Sequence, residues 1–343
     1  DFIIAKADTE QVLKSQPDHY AANLLMGRLL TIELKFKSAE KIYEKMIKRF
    51  PGQPEAYYRL GILKRLQKKP DAAFDLFSTA VNIEPYHMEA FTGLVSLYMD
   101  KKESAAALQK CKDHLELISK SKGAQALVHY HMGNCYLQLD QTDNAESEFK
   151  RAIRHMPGYV DAHLKLGTIL KKQNRLDEAI AMYSALSEKK PNVAVVQSLL
   201  GGLYKAQNRF DLAEAHYLKA LEIDQAFVPA LNNLAFLFAQ QEKELNKALD
   251  LASKAKEKAG KSPSIVDTLG YVYYKKKLYD SAIQEFQDAI RLSPDTPVFY
   301  YHLGLAYKEK GKAKEAKNAF KKALSLGKGF KGAQEAQKLL DTL

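Results

Sequence analysis

Small and large apolar residues return along this chain on a fixed beat. Leu-Gly or a close relative stands at Met26-Gly27, Leu60-Gly61, Met132-Gly133, Leu166-Gly167, Leu200-Gly201, Leu269-Gly270 and Leu303-Gly304, with Leu94-Val95 and Leu234-Ala235 filling the gaps. Most steps are 34 residues; one is 38, around residues 112–125, and one is 35, near residue 245. These pairs set a register, and the rest of the pattern tests it. Twelve residues past each glycine position comes Ala39, Ala73, Ala107, Ala145, Ala179, Ala213, Ala248, Ala282 and Ala316, allowing one inserted residue in the seventh unit. Four residues further stand Tyr43, Phe77, Cys111, Phe149, Tyr183, Tyr217, Ala252, Phe286 and Phe320. Pro17, Pro51, Pro85, Pro157, Pro191 and Pro294 close most units.

A period of this length with apolar residues at helical spacing predicts stacked helix pairs. Two antiparallel helices joined by a short turn approach closely only where both present small side chains, and the glycine and the alanine meet that need. Large residues three and four positions away fill the groove beside the contact. Stretches such as Arg175-Leu176-Asp177-Glu178 form the turn and start the second helix. Proline cannot continue a helix interior, so it ends the second helix and redirects the chain.

These residues resemble the tetratricopeptide repeat (TPR) family over nearly the whole chain. The resemblance implies an all-α, right-handed superhelical solenoid of antiparallel helix pairs. Residues 1–17 would be the second helix of a truncated repeat, residues 20–330 nine repeats, and residues 331–343 a capping helix that covers the last apolar face. Departures are visible. No tryptophan holds the early helix position, where Tyr57, Phe91, His163 and Tyr300 stand in. The third repeat, about 88–125, is degenerate: Val95 replaces glycine, and its second helix is expected to run long toward Lys122-Gly123.

Composition narrows the class further. Hydrophobic residues at 46% and charged residues at 27% exclude wholesale disorder, and 11 prolines with 17 glycines are too few for an all-β chain of 343 residues. No apolar run is long enough to span a membrane, and the first residues lack the basic start and apolar segment of a signal peptide. Cys111 and Cys135 fall on predicted core faces, so no disulfide framework is expected and sulfur chemistry does not reveal the compartment. The net charge of +11 reads either as a lysine-rich solvated surface or as a basic face that attracts acidic partners.

Catalytic and cofactor motifs fail on context. Gly327-Lys328-Gly329-Phe330-Lys331-Gly332 matches GxGxxG but follows a helix, so a helix end and turn explain it; Gly260-Lys261-Ser262 lacks the upstream glycine and strand of a phosphate loop. His129 and His131, two apart on a helix, point in different directions and do not make a metal site. Neither a catalytic constellation nor a cofactor is expected, and the chain is read as a non-enzyme.

The resemblance places a partner-binding groove on the concave side, lined by the first helices. Carrying over the family's groove positions gives the aromatics Tyr58, Tyr130, Phe236, Tyr271, Tyr274 and Tyr301, and the cations Arg65, Lys171, Lys172, Lys205, Lys275 and Lys308. Asn134 and Asn232 add amides able to bond a peptide backbone or a sugar hydroxyl. Tyrosine and arginine are common interface anchors. The fifth positions hold no lysine, which argues against a carboxylate clamp of the kind that grips Hsp70 or Hsp90. From Leu305 onward ten lysines face four acids; solvation is the default reading, with nucleic acid or anionic lipid the minor alternative.

The expectation is a scaffold that binds an extended peptide or protein segment. The alternative is the accessory repeat region of a larger enzyme. The run Leu231-Asn232-Asn233-Leu234-Ala235, followed by Asp267-Thr268-Leu269-Gly270-Tyr271-Val272-Tyr273-Tyr274, is similar to bacterial envelope TPR proteins of exopolysaccharide export and PEP-CTERM sorting. That implies a periplasmic or envelope location, with the cytoplasm as the alternative. An apolar N-terminal edge (Phe2, Ile3, Ile4, Val12, Leu13) suggests self-association.

Overall fold

The computed structural model describes residues 2–343; Asp1 and the side chain of Phe2, one member of the apolar N-terminal edge, lie outside the described residues. Every regular element among the described residues is an α-helix. The chain divides into two compact units, 1–173 and 174–343. The first contains α1 (Phe2–Ser15), α2 (Tyr20–Ile32), α3 (Phe36–Arg49), α4 (Pro54–Leu66), α5 (Pro70–Ile83), α6 (Met88–Asp100), α7 (Ser104–Leu117), α8 (Lys122–Gln138), α9 (Thr142–His155) and α10 (Val160–Lys172). The second contains α11 (Leu176–Lys189), α12 (Ala194–Ala206), α13 (Phe210–Ile223), α14 (Val228–Gln240), α15 (Leu245–Ala259), α16 (Pro263–Lys275), α17 (Tyr279–Leu292), α18 (Pro297–Glu309), α19 (Ala313–Leu326) and α20 (Ala333–Thr342). Within each unit consecutive helices pack as antiparallel pairs, and first helices such as α14 and α16 also touch side by side.

Local chemistry sets each boundary. Residues such as Lys68, Asn208 and Lys277 carry φ near +60° in the turn inside a pair. The amide of the next residue then reaches back five positions, as in Lys69 N–H to Lys64 O and Leu278 N–H to Tyr273 O, both 2.9 Å. This is the Schellman end of a helix, which satisfies carbonyls that the last turn leaves open. Pro51, Pro85, Pro157 and Pro294 each sit one residue beyond the C-cap of a second helix, where a missing N–H costs nothing.

The packing inside a pair differs in detail from the small-on-small contact expected from sequence. The bare Cα of Gly27, Gly61, Gly133, Gly201, Gly270 and Gly304 lies under an aromatic ring of the second helix. A Cβ on Gly61 would stand 2.6 Å from the Phe77 ring, on Gly133 2.5 Å from Phe149, on Gly270 2.7 Å from Phe286 and on Gly304 2.5 Å from Phe320. The alanine lets the backbones close in: the Ala213 carbonyl is 3.1 Å from where a Gly201 Cβ would be. The rings of Phe77, Phe149, Phe286 and Phe320 are fully buried, each burial being worth roughly 2–3 kcal/mol. Where the glycine is absent, the ring is absent too. Val95 is matched by Cys111, and Ala235 by Ala252, all four at or near zero exposure. Volume lost on one helix is regained on the other.

The long-helix expectation for the third repeat is corrected. Helix α7 has 14 residues, like the second helices α5 and α9 on either side of it, and the four extra residues lengthen the start of α8, which has 17. Four residues are close to one helical turn, so the insertion extends α8 without rotating its buried face. Ser121 caps the new end by accepting the Ala124 amide at 3.2 Å.

Polar bonds join neighbouring repeats at a constant spacing. Lys101 pairs with Asp71 at 2.7 Å, Gln207 with Asp177 at 2.7 Å, and Lys310 with Asp280. In each, the cap of a first helix meets the first turn of the preceding second helix. Exposed pairs of this kind contribute well under about 1 kcal/mol, so they fix register more than stability. At the N-terminus, Ile3 and Ile4 of α1 are 77% and 58% exposed.

The compensated positions generate a test. Gly133→Val alone, or Phe149→Cys alone, is expected to destabilise by about 2–4 kcal/mol through overpacking or a cavity. Together they imitate Val95 and Cys111, and urea unfolding is expected to show a recovery of about 1–3 kcal/mol over the sum. Additive losses would refute the coupling.

Candidate partner-binding surface

In the first unit the expected groove residues fall into two groups. Tyr58 is half-buried, its ring 5.0 Å from His87 and 5.9 Å from Phe77, with the Arg59 guanidinium 5.0 Å from its centroid. Beneath it Glu55 bonds both His87 (3.0 Å) and Arg59 (2.7 Å). The His87 bond holds Glu55 below the usual carboxylate range, and Glu55 raises His87 in return. Tyr130 is wedged beside Tyr159 at 5.2 Å and Phe149 at 5.9 Å, and Asn134 is half-buried one turn further along α8. Arg65, Lys171 and Lys172 are different. All three are exposed at the ends of α4 and α10, with no ion-pair partner among the described residues.

In the second unit Lys205, Phe236, Tyr271, Tyr274 and Lys275 join into one layer. The Lys205 ammonium sits 4.2 Å from the centroid of Phe236. Phe236 stacks on Tyr271 with centroids 5.0 Å apart at 23°, and Tyr271 leans on Tyr274 and on His302. Lys275 lies 5.6 and 5.8 Å from the centroids of Tyr271 and Tyr274 while bonding Glu242 at 2.9 Å. Desolvation raises the Tyr271 phenol, and pushes Tyr274 up to about 12. Lys308 bonds its neighbour Glu309 at 3.1 Å. Asn232, Phe236 and Gln240 share a face of α14 at four-residue spacing. The side-chain carbonyls of both amides are buried without a hydrogen-bond partner.

Tyr301 is placed differently from an open groove aromatic. It is 7% exposed, with Phe330 at 5.8 Å and its hydroxyl donating to Glu335 at 2.8 Å. The chain between α19 and α20 folds over it. Gly332, at φ +100°, is the N-cap of α20, and a Cβ there would stand 2.5 Å from the Tyr301 ring. The GxGxxG-like run is thus a helix end and turn whose last glycine answers both a backbone and a steric demand.

This fold-back closes one side of a cavity of about 480 Å³, lined by Phe236, Gln240, Asp267, Tyr271, Tyr301 and Glu335, among others. His302 and Asp267 are both buried and bond each other at 2.8 Å. Sequence reasoning did not single out Gln240, Asp267, His302 or Glu335 for this surface. Asp267 and His302 lie in the repeat register beside positions that were chosen, so the signal was present. Glu335 arrives by a turn outside the repeat and leaves no periodic trace. Among the described residues no group of three or more His, Cys, Asp or Glu side chains could hold a metal ion, and no helix is long and apolar enough to cross a membrane.

Comparison with known proteins agrees with this geometry. Tetratricopeptide repeat models match residues 34–87, 136–203, 195–227 and 298–326, and a TPR repeat model matches 270–311. The human protein O-mannosyl-transferase TMTC3 is 24% identical over 286 residues, covering 77% of this chain and 30% of that protein. The barley probable UDP-N-acetylglucosamine–peptide N-acetylglucosaminyltransferase SPINDLY is 25% identical over 165 residues, 47% of this chain and 17% of that protein. Mouse tetratricopeptide repeat protein 21A is 23% identical and covers 85% of this chain and 24% of its own length. The chain therefore spans less than a third of each of these relatives. Among solved structures, the crystal structure of the APC/C hetero-tetramer Cut9-Hcn1 is similar in fold, with a TM-score of 0.61 at 16% identity, over 93% of this chain and 62% of that one.

One titratable group beside Tyr130 gives a pH test. His131 bonds Thr92 at 3.1 Å, and burial lowers its pKa to about 4. The unfolded chain binds this proton near pH 6.5 and the folded one does not until about 4. The associated stability is therefore present above pH 6.5 and lost as the pH falls through 4. Comparing urea unfolding at pH 7 and pH 4.5, His131→Gln is expected to remove a pH-dependent loss on the order of 2–3 kcal/mol. An unchanged slope would refute it.

Proposed function

We propose that this chain, a member of the tetratricopeptide repeat family, is a non-catalytic scaffold that binds an extended protein segment along the first-helix faces of its repeats. The observation that carries the reading is the aromatic and amide layer of the second unit, where buried side-chain carbonyls of Asn232 and Gln240 lack donors. A peptide backbone supplies N–H groups, and leaving such acceptors unmade costs about 1–3 kcal/mol each. Phe236, Tyr271 and Tyr274 offer area beside them, and the unpaired Arg65, Lys171 and Lys172 offer charge to acidic residues of a partner. Rim charges of that kind act chiefly on the rate of association.

A second reading is favoured by two of the relatives, which are named as transferases and are far longer than this chain. In that reading the repeats present a protein substrate to a catalytic domain of the same polypeptide. A finer form of the scaffold reading places the chain in a bacterial envelope complex for exopolysaccharide or protein export, and it is supported by the phrasing of residues 231–235 and 267–274. The nucleotide sequence upstream of Asp1 separates these: a transferase domain supports the second, a signal or lipid-attachment segment the third.

The scaffold reading is tested by charge reversal where the structure shows no internal partner. Lys171→Glu with Lys172→Glu is expected to reduce co-precipitated partner from native lysate several-fold, while stability falls by less than about 1 kcal/mol. Lys205 is the wrong control, because it also packs on Phe236. Retention of every partner by the double variant would remove the support.

A further inference from the structure

The cavity of the second unit has a chemistry unlike the rest of the surface. The chain carries a net charge of +11, yet this cavity is lined by the carboxylates of Asp267 and Glu335 and by the carbonyl of Gln240, which is buried and accepts nothing. The lining also carries the exposed Lys331, so two carboxylates face one ammonium there; Lys275 bonds Glu242 while lying near the Tyr271 ring, and Lys205 lies against Phe236. The Glu335 charge is felt at the phenols of Tyr301, Tyr271 and Tyr274, each raised first by burial and further by that carboxylate. The walls are π-faces and edges of Phe236, Tyr271 and Tyr301. Aromatic rings beside acceptors in a desolvated recess attract a cation.

We infer that this cavity receives an arginine side chain of the bound protein segment, a reading that rests on the groove-binding function above and names one anchor of it. Burying a charge is costly unless its hydrogen bonds are met. A guanidinium presents five donors in one plane, enough to serve Gln240, Asp267 and Glu335 together while its face lies on a ring. Lysine's ammonium is compact and strongly hydrated, and does not stack. The volume of about 480 Å³ accommodates the planar group with its methylene stem. Phe236, Tyr271 and Tyr301 all occupy groove-facing repeat positions, so an arginine entering here projects from a chain that already lies along the first helices. The Gly332 fold-back supplies Glu335, so the receptor exists only where the last repeat meets α20.

The probes are N-acetyl-arginine amide and its uncharged isostere N-acetyl-citrulline amide, titrated into the whole chain carrying ring-labelled tyrosine and followed by NMR. The arginine probe is expected to shift Tyr271 and Tyr301, with citrulline at least about tenfold weaker and lysine amide in between. Glu335→Gln, which keeps an acceptor for Tyr301, is expected to weaken arginine about fivefold or more with the Tyr271 and Tyr301 resonances still dispersed. Equal binding of citrulline, shifts confined to other tyrosines, or no effect of Glu335→Gln would each overturn the assignment. The two proposals fail separately: if Lys171→Glu with Lys172→Glu releases the partner while the arginine probe binds nowhere, the groove stands and the arginine receptor falls. If the probe binds as expected and that double variant retains its partner, the reverse holds.

Discussion

The structure depends on the distance at which a first helix can lie from its second. At Gly61, Gly133, Gly270 and Gly304 a single added carbon would enter an aromatic ring, so the ring sets the spacing and the glycine permits it. Everything else in a pair follows from that approach. The rings of Phe77 and Phe286 can be fully buried only because nothing stands between them and the facing backbone. The inter-helix turn is short because the helices are already close. A core built this way is a chain of small local cores, each needing only its neighbours.

That locality explains what could be read from sequence. All-α pairing, the place of each turn and the residues that bury most deeply follow from a period, because each repeat states the same packing problem again. Even the exceptions obey it: Val95 with Cys111 and Ala235 with Ala252 are legible as exchanged volumes once the facing partner is known. The third repeat was misjudged for a different reason. A four-residue insertion between two helices carries no sign of which one absorbs it, and Ser121, which caps the lengthened α8, decides the matter through a local hydrogen bond.

The surface was legible only in part. Register put Phe236, Tyr271 and Lys275 on one face, but could not say that Lys275 is tied to Glu242 or that Lys205 covers Phe236. Those contacts join side chains from different helices and depend on reach, not on period. Tyr301 shows the limit most clearly. By register it belongs to an open groove. In the structure the non-repeating segment around Gly332 covers it and brings Glu335 to its hydroxyl.

Charge means different things in the two settings. Lys171 and Lys172 stand in water at the end of α10, where a pair with a partner is screened within about 8–10 Å at physiological salt and contributes little affinity. Asp267 and Glu335 line a recess walled by rings, where the same elementary charge acts through a lower dielectric and the unmet carbonyl of Gln240 penalises the empty state. On the proposed reading, a partner would be steered by the exposed lysines and discriminated by the carboxylates of the cavity, so the charge that governs the encounter and the charge that governs the choice would be opposite in sign.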